Sequence, residues 1–253
     1  MFRFAIPHRV PDSEPNGENG SILGLVLMLN GNSQQLINEP SPSRQDFNYV
    51  QYGCGQCAPK EWTNFDASLT LKWERLPILG RYTKNSQRFP ENVRPGDIVK
   101  GLPIPDGSCQ AVYASHVLEH LALAEFHGAL QNTYRILRKG GIFRLVVPDL
   151  ERSAREYIAR VDRGEPNANS FFLGETLLGC ERREHGLMGL AKKLFNTSTH
   201  LWMWDEASIA HALKEHGFSQ IRRCRFGDCE DSVFSLVEDR GRFENAVGME
   251  AKR

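Results

Sequence analysis

Residues 115–120 read SHVLEH and hold His116, Glu119 and His120. An H-x-x-E-H run on one helix would set two imidazoles a turn apart, the ligand spacing of a zinc peptidase with an inverted motif. Such an enzyme needs a third ligand downstream, with Glu175 and Glu184 among the candidates. Cys54 and Cys57 form C-x-x-C, which is half a zinc site or a redox pair. No second pair with that spacing follows, because Cys109 and Cys180 are isolated and Cys224 and Cys229 stand further apart. The same stretch, VQYGCGQC, carries Gly53 and Gly55 at the end of a strand-like run. A G-x-G turn lets backbone approach a ligand where a side chain would clash. Asp66, near the end of the next strand candidate, is placed to accept hydrogen bonds from two ribose hydroxyls. The interval from Gly55 to Asp66 is shorter than the roughly 20 residues of a dinucleotide-binding unit, and GCGQC lacks the third glycine of its phosphate turn. A nicotinamide dehydrogenase is therefore the weaker reading.

Short runs of strand character must position these groups: 48–55, 61–68, 96–99, 109–116 and 142–148, with 219–226 and 245–251 as the last two. Between them the sequence predicts a helix over roughly 117–138, its apolar face drawn from Leu118, Leu121, Leu130, Tyr134 and Leu137. Arg138, Lys139, Gly140 and Gly141 read as cations in a last turn followed by a glycine stop. LERSAREYIARVDRG is helical in pattern, and 205–218 is an amphipathic helix with Asp205 as N-cap and Gly217 as stop. Strands alternating with helices imply an α/β fold: a doubly wound, mostly parallel seven-stranded sheet. In that fold a ligand lies at the carboxyl ends of the strands. Residues 1–46 are rich in Pro, Asn, Gly and Ser and read as a partly irregular extension. Residues 47–253 form the main domain, with 151–200 as a helical insert over the crevice after the fifth strand.

The chain has 253 residues, 40% hydrophobic and 25% charged, with 31 basic and 31 acidic side chains. These values suit a globular protein and supply no overall basic field, so a nucleic-acid partner is not expected. The apolar run 21–29 is too short for a membrane-spanning helix, and no secretory leader is visible. Six scattered cysteines do not make a disulfide framework, and a reducing cytoplasm is the expected location.

Read in order, GCG, NFDAS, GDIVKGLPIPDGS, SHVLEHL, RILRKGGIFRLVVPDL and a late HLWMWDE before a helix ending in GF resemble the class I S-adenosylmethionine-dependent methyltransferases. The closest likeness is to a group known as predicted SAM-dependent methyltransferases, over residues 48–251. The resemblance implies a Rossmann-like fold, S-adenosylmethionine as cofactor and a small-molecule acceptor such as a sugar or other metabolite. It implies that Gly53, Cys54 and Gly55 pass under the methionine part, and that Asp66 holds the ribose with Ala67 beside the adenosine. It places Asp97 opposite the adenine amino group, Ile98 against the ring, and Ser115 and His116 over the sulfonium. His116 is then either a general base or an orienting group, with His200 the second candidate. Trp202 and Trp204 either line the substrate pocket or staple the last helix to the sheet. Gln51 departs from the family pattern, which has an acidic side chain there. That departure keeps a non-catalytic cofactor-binding module open beside the enzyme. On this resemblance no metal is expected, and a zinc hydrolase using His116, Glu119 and His120 ranks behind both the enzyme and the cofactor-binding module.

Overall fold

The computed structural model describes residues 47–77, 88–180 and 199–253. Among the described residues seven strands form one sheet: β1 Tyr49–Tyr52, β2 Thr63–Asp66, β3 Val93–Pro95, β4 Cys109–Ser115, β5 Leu137–Pro148, β6 Ser219–Cys224 and β7 Ala246–Lys252. Their order is β3-β2-β1-β4-β5-β7-β6. All neighbours from β3 to β5 run parallel, and β7 is antiparallel to both β5 and β6. The strand order reverses between β1 and β4, which opens a crevice at their carboxyl ends. The expected seven-stranded, doubly wound sheet is therefore present. The extension at 1–46 and residues 181–198 of the insert lie outside the described residues.

Alternation along the strands sorts side chains to two faces. Val50, Tyr52, Val112, Ala114, Leu145, Val147 and Met249 pack on one face. A short α1 (Leu69–Glu74) follows β2, and this face is covered by α2 (Leu123–Ile136) through Phe126, Ala129 and Leu130 and by α5 (Glu206–Glu215) through Ile209, Ala212 and Leu213. The other face carries Ala111, Tyr113 and Val146, which meet Trp62, Phe234 and Val237. Its cover is the long β6–β7 connection, with 3₁₀ turns at Ser232–Leu236 and Arg240–Phe243.

A single buried cation pins that connection to the sheet. Arg144 of β5 is fully buried; its Nη1 donates to Asp228 and Glu250 at 2.9 Å each, its Nη2 to the Arg225 carbonyl at 2.6 Å, and its Nε to Glu238. Burial opposes its charge, but the Glu238 and Asp228 carboxylates outweigh burial and raise its pKa.

Three elements differ from expectation. The third strand is Val93–Pro95, so Asp97 and Ile98 fall in the turn after it rather than within it. The predicted helix over 117–138 is broken: a 3₁₀ turn covers Leu118–His120, Leu121 is extended, and α2 starts at Leu123. Its far end stops at Ile136, because fully buried Leu137 pairs with Cys109 and joins β5. Arg138 and Lys139 thus belong to a strand, and Gly140, at φ +75°, turns the chain there. After β5, α3 (Leu150–Asp162) and α4 (Ala168–Glu175) begin the insert. α5 matches expectation: Ser208 N–H donates to Asp205 Oδ1 at 2.8 Å, and Asp205 N–H donates to Ser208 Oγ at 3.1 Å.

Candidate active site

β1 and β2 stop side by side, with Tyr52 opposite Phe65. Cys54 N–H bonds the Phe65 carbonyl at 3.2 Å, and Gly55 N–H bonds Asp66 Oδ2 at 3.0 Å. The other oxygen, Oδ1, accepts from Ser68 N–H at 2.8 Å. Gly96 N–H bonds the Asp66 carbonyl at 3.0 Å, which ties the turn after β3 to the end of β2. Gly53, Cys54, Gly55, Asp66 and Asp97 therefore form one row along the carboxyl edge of the sheet. Gly53 has φ +66°, and a Cβ there would sit 2.2 Å from Val117 Cγ2, so only glycine fits. Of the remaining predicted residues, Ala67 is exposed beside Asp66, whereas Ile98 is buried in the main core. Asp97 accepts from Val99 N–H at 3.0 Å and lies 3.6 Å from Lys100 Nζ.

Gln51, where the resemblance leads one to expect an acid, spends its amide nitrogen inside the protein. Nε2 donates to the Cys57 carbonyl at 2.8 Å and to Asn64 Oδ1 at 2.6 Å. It braces the glycine turn against β2. Cys54 is buried, and burial followed by the charge of Asp66 pushes its thiol up to about 12. Burial likewise pushes Cys109 up to about 11 and Cys224 up to about 12. Since the thiolate is the reactive form, Cys54 makes a poor redox partner for Cys57. A disulfide-exchange reagent at pH 8 is expected to label exposed Cys57 and Cys180 rapidly and to spare Cys54, Cys109 and Cys224 until the protein unfolds. Mass mapping of labelled peptides checks this; early labelling of Cys54 would revive the dithiol.

The crevice is closed from the far side by the β6–β7 connection. Arg242 Nη1 donates to the Ser115 carbonyl at 3.2 Å, and His116 Nε2 lies 2.9 Å from the Arg242 carbonyl. Gln51, Gly53, Cys54, Tyr113, Ser115 and Arg242 line a space of about 30 Å³, room for about one water. The Tyr113 and Ser115 hydroxyls are buried in this lining and face each other without reaching hydrogen-bond geometry.

His116 stands at φ +54°, a left-handed conformation costing about 1–3 kcal/mol in a non-glycine residue. The chain reverses there, so His116 and His120 do not share a helix. Burial lowers the His116 pKa, but Glu119 and the Arg242 carbonyl outweigh it and leave the value raised. Glu119 is fully buried in the 3₁₀ turn, and neither carboxylate oxygen accepts a hydrogen bond. His200 is also buried, and burial is the main cause that lowers its pKa. Leu201 and Trp202 N–H groups both bond the Glu119 carbonyl, at 2.8 and 3.2 Å, which straps 199–202 to the SHVLEH turn. The two tryptophans divide: Trp204 stacks on Phe126 at 3.9 Å between centroids and is core, whereas Trp202 is exposed. The sequence signal that would have completed the His116–Glu119–His120 group was the lone His200, which the insert hides by distance along the chain.

Residues 51–145 match the family described as "Methyltransferase domain". This segment is a methyltransferase domain. Its limits run from the end of β1 to β5, and so contain the glycine turn, Asp66 and the SHVLEH turn. No curated protein matches the chain. Among solved structures, a SAM-dependent methyltransferase of Thermotoga maritima, described as a possible histamine N-methyltransferase, is 16% identical with a TM-score of 0.44, covering 81% of each chain. A SAM-dependent methyltransferase of Archaeoglobus fulgidus is 14% identical with a TM-score of 0.42, over 81% of this chain and 86% of that one. A Haloferax volcanii putative methyltransferase complexed with the Trm112 activator is 14% identical with a TM-score of 0.42, over 83% and 84% of the two chains. Among the described residues no helix is long and apolar enough to cross a membrane.

Proposed function

We propose that this methyltransferase passes the methyl group of S-adenosylmethionine to a small-molecule acceptor at the carboxyl edge of β1, β2 and β4. The observation that carries the site is the paired stop of β1 and β2, where glycine backbone and a buried carboxylate meet. A carboxylate offers about four lone-pair positions. Two on Asp66 serve Gly55 and Ser68, and two remain for ribose hydroxyls. Exposed Ala67 leaves the adenosine side open, with Asp97 able to accept from the adenine amino group. Ile98 supports that turn from the core rather than packing directly on the ring.

The bare backbone of Gly53–Gly55 admits the methionine end, and the Tyr113 and Ser115 hydroxyls offer hydrogen-bonding groups there. The space is narrow, so the Arg242 turn yields when the cofactor enters. When bound, S-adenosylmethionine supplies a methyl already activated by its positive sulfur, and the protein's task is mainly to position the acceptor. His116 borders the sulfonium side and holds the Arg242 turn in place through its ring. Cytoplasmic location remains part of this reading.

Calorimetric titration of the full chain with S-adenosylhomocysteine tests the site, followed by a screen of hydroxyl and amine acceptors for turnover. Saturable one-site binding with turnover supports the enzyme. Binding without turnover on any acceptor class favours a cofactor-binding module, and no binding removes the site.

A further inference from the structure

We propose that Glu119, His120 and His200 form a binding site for one divalent first-row transition cation, with His116 beside it. The site stands independently of the methyl-transfer reading.

The first observation is a buried carboxylate ringed by three imidazoles, none within good hydrogen-bond geometry. Glu119 is fully buried, and neither carboxylate oxygen accepts a hydrogen bond. A bare buried carboxylate is costly unless a proton or cation neutralises it. The second is the orientation of the rings around it. His120 Nδ1 lies 3.1 Å from the Thr199 carbonyl, and His116 Nε2 lies 2.9 Å from the Arg242 carbonyl. A carbonyl only accepts, so each of these nitrogens carries the proton. In the neutral ring, His120 Nε2 is then a lone pair, and it lies 3.9 Å from Glu119 Oε1. A backbone carbonyl holding the far N–H is the usual way a protein orients a metal-binding imidazole.

Spacing separates a cation from a proton. His116, His120 and His200 nitrogens stand 3.4, 3.9 and 4.0 Å from Glu119 Oε1. Charge-assisted hydrogen bonds are shorter, about 2.7–2.9 Å. Two ligands each about 2.0–2.2 Å from a tetrahedral ion lie roughly 3.4 Å apart, so the His120 and His200 nitrogens, at 3.9 and 4.0 Å from Glu119 Oε1, would draw in by about 0.5 Å around an ion. One ligand atom from each of Glu119, His120 and His200 lies within 4.8 Å of the others. Two imidazoles and one carboxylate suit zinc, iron(II), cobalt or manganese and leave positions open for water or a substrate oxygen. Ser115 and His116 place those positions next to the proposed cofactor crevice.

The test uses the full chain stripped with chelator and dialysed against Zn²⁺, with Co²⁺ as the spectroscopic probe. One zinc per chain is expected, with nitrogen and oxygen only in the X-ray absorption shell and visible cobalt absorption. His120→Ala and His200→Ala should each weaken zinc binding by at least about 10–100-fold, the cost of losing even an outer-shell partner. His211→Ala, on exposed α5, should leave it unchanged. Circular dichroism of the metal-free variants checks that they fold; if they do not, the wild-type absorption shell decides. No stoichiometric zinc, sulfur in the shell, or unchanged affinity in folded His120→Ala and His200→Ala would overturn the site. Methyl transfer would stand in each of those cases, since none of the readouts uses the cofactor.

Discussion

Arg144→Met is expected to lower unfolding stability by about 3–5 kcal/mol, the cost of breaking a buried ion pair from one side. The magnitude depends on which carboxylate is stranded. Asp228 and Glu250 keep Arg222, at 3.1 and 2.8 Å. Glu238 is almost fully buried, and its remaining hydrogen bond comes from Gly227 N–H at 2.8 Å. Glu238 therefore carries most of the loss. Arg144→Met combined with Glu238→Met should regain much of it, since a whole buried pair replaced by apolar groups is often neutral. Urea denaturation measures both. A single-variant loss below about 1 kcal/mol would show that the cluster does not anchor the β6–β7 connection.

The same cluster gives an acid dependence. Burial pushes the Asp228 carboxyl up, but the Arg225 N–H and the Arg222 and Arg144 guanidiniums outweigh it and hold it below its ordinary 3.8. A group depressed in the folded state stabilises above its unfolded pKa and loses that contribution as pH falls through the folded one. Stability should therefore decline below about pH 4, with a shallower slope in Asp228→Asn. Equal slopes in the two proteins would remove Asp228 from the acid response.

Asp66→Ala is expected to weaken S-adenosylhomocysteine binding by about 1.5–3 kcal/mol, roughly 10- to 150-fold. Two effects combine. The lost carboxylate no longer accepts from ribose hydroxyls, and Gly55 and Ser68 lose the acceptor that holds their turns. Asp66→Asn keeps the size and one acceptor oxygen, so an intermediate loss is expected. Calorimetry separates the three proteins, and unchanged affinity in Asp66→Ala would place the nucleoside elsewhere.

The glycine turn, Asp66 and the strand sequence were legible because each signal is local: a glycine where backbone must pass closely, an acid at a strand end, alternation within strands. The sequence sets the third strand at 96–99, too late, because Val93–Pro95 is short and its partner is visible only once β2 is in position. The helical pattern over 117–138 overruns α2 for a related reason. Leu137 has good helix propensity, yet full burial beside Cys109 takes it into β5. His116, Glu119 and His120 were seen, but His200 joins them through backbone bonds from 201 and 202 to Glu119, which no periodicity announces. Likewise nothing local to SHVLEH indicated that Arg242 would close the crevice.

That closure sets an order of assembly. The bonds joining Ser115 and His116 to Arg242 span 127 and 126 residues. A chain emerging from the ribosome amino end first completes β1, β2 and β4 well before it presents Arg242 or the carboxylates that neutralise Arg144. Contacts so distant along the sequence form slowly, because long loops must close before the gain arrives. Until the β6–β7 connection is laid down, the Tyr113–Val146 face lacks Phe234 and Val237 and is prone to self-association. A product halted at Pro148 should therefore be insoluble, and capture of cofactor should begin only when synthesis is essentially finished.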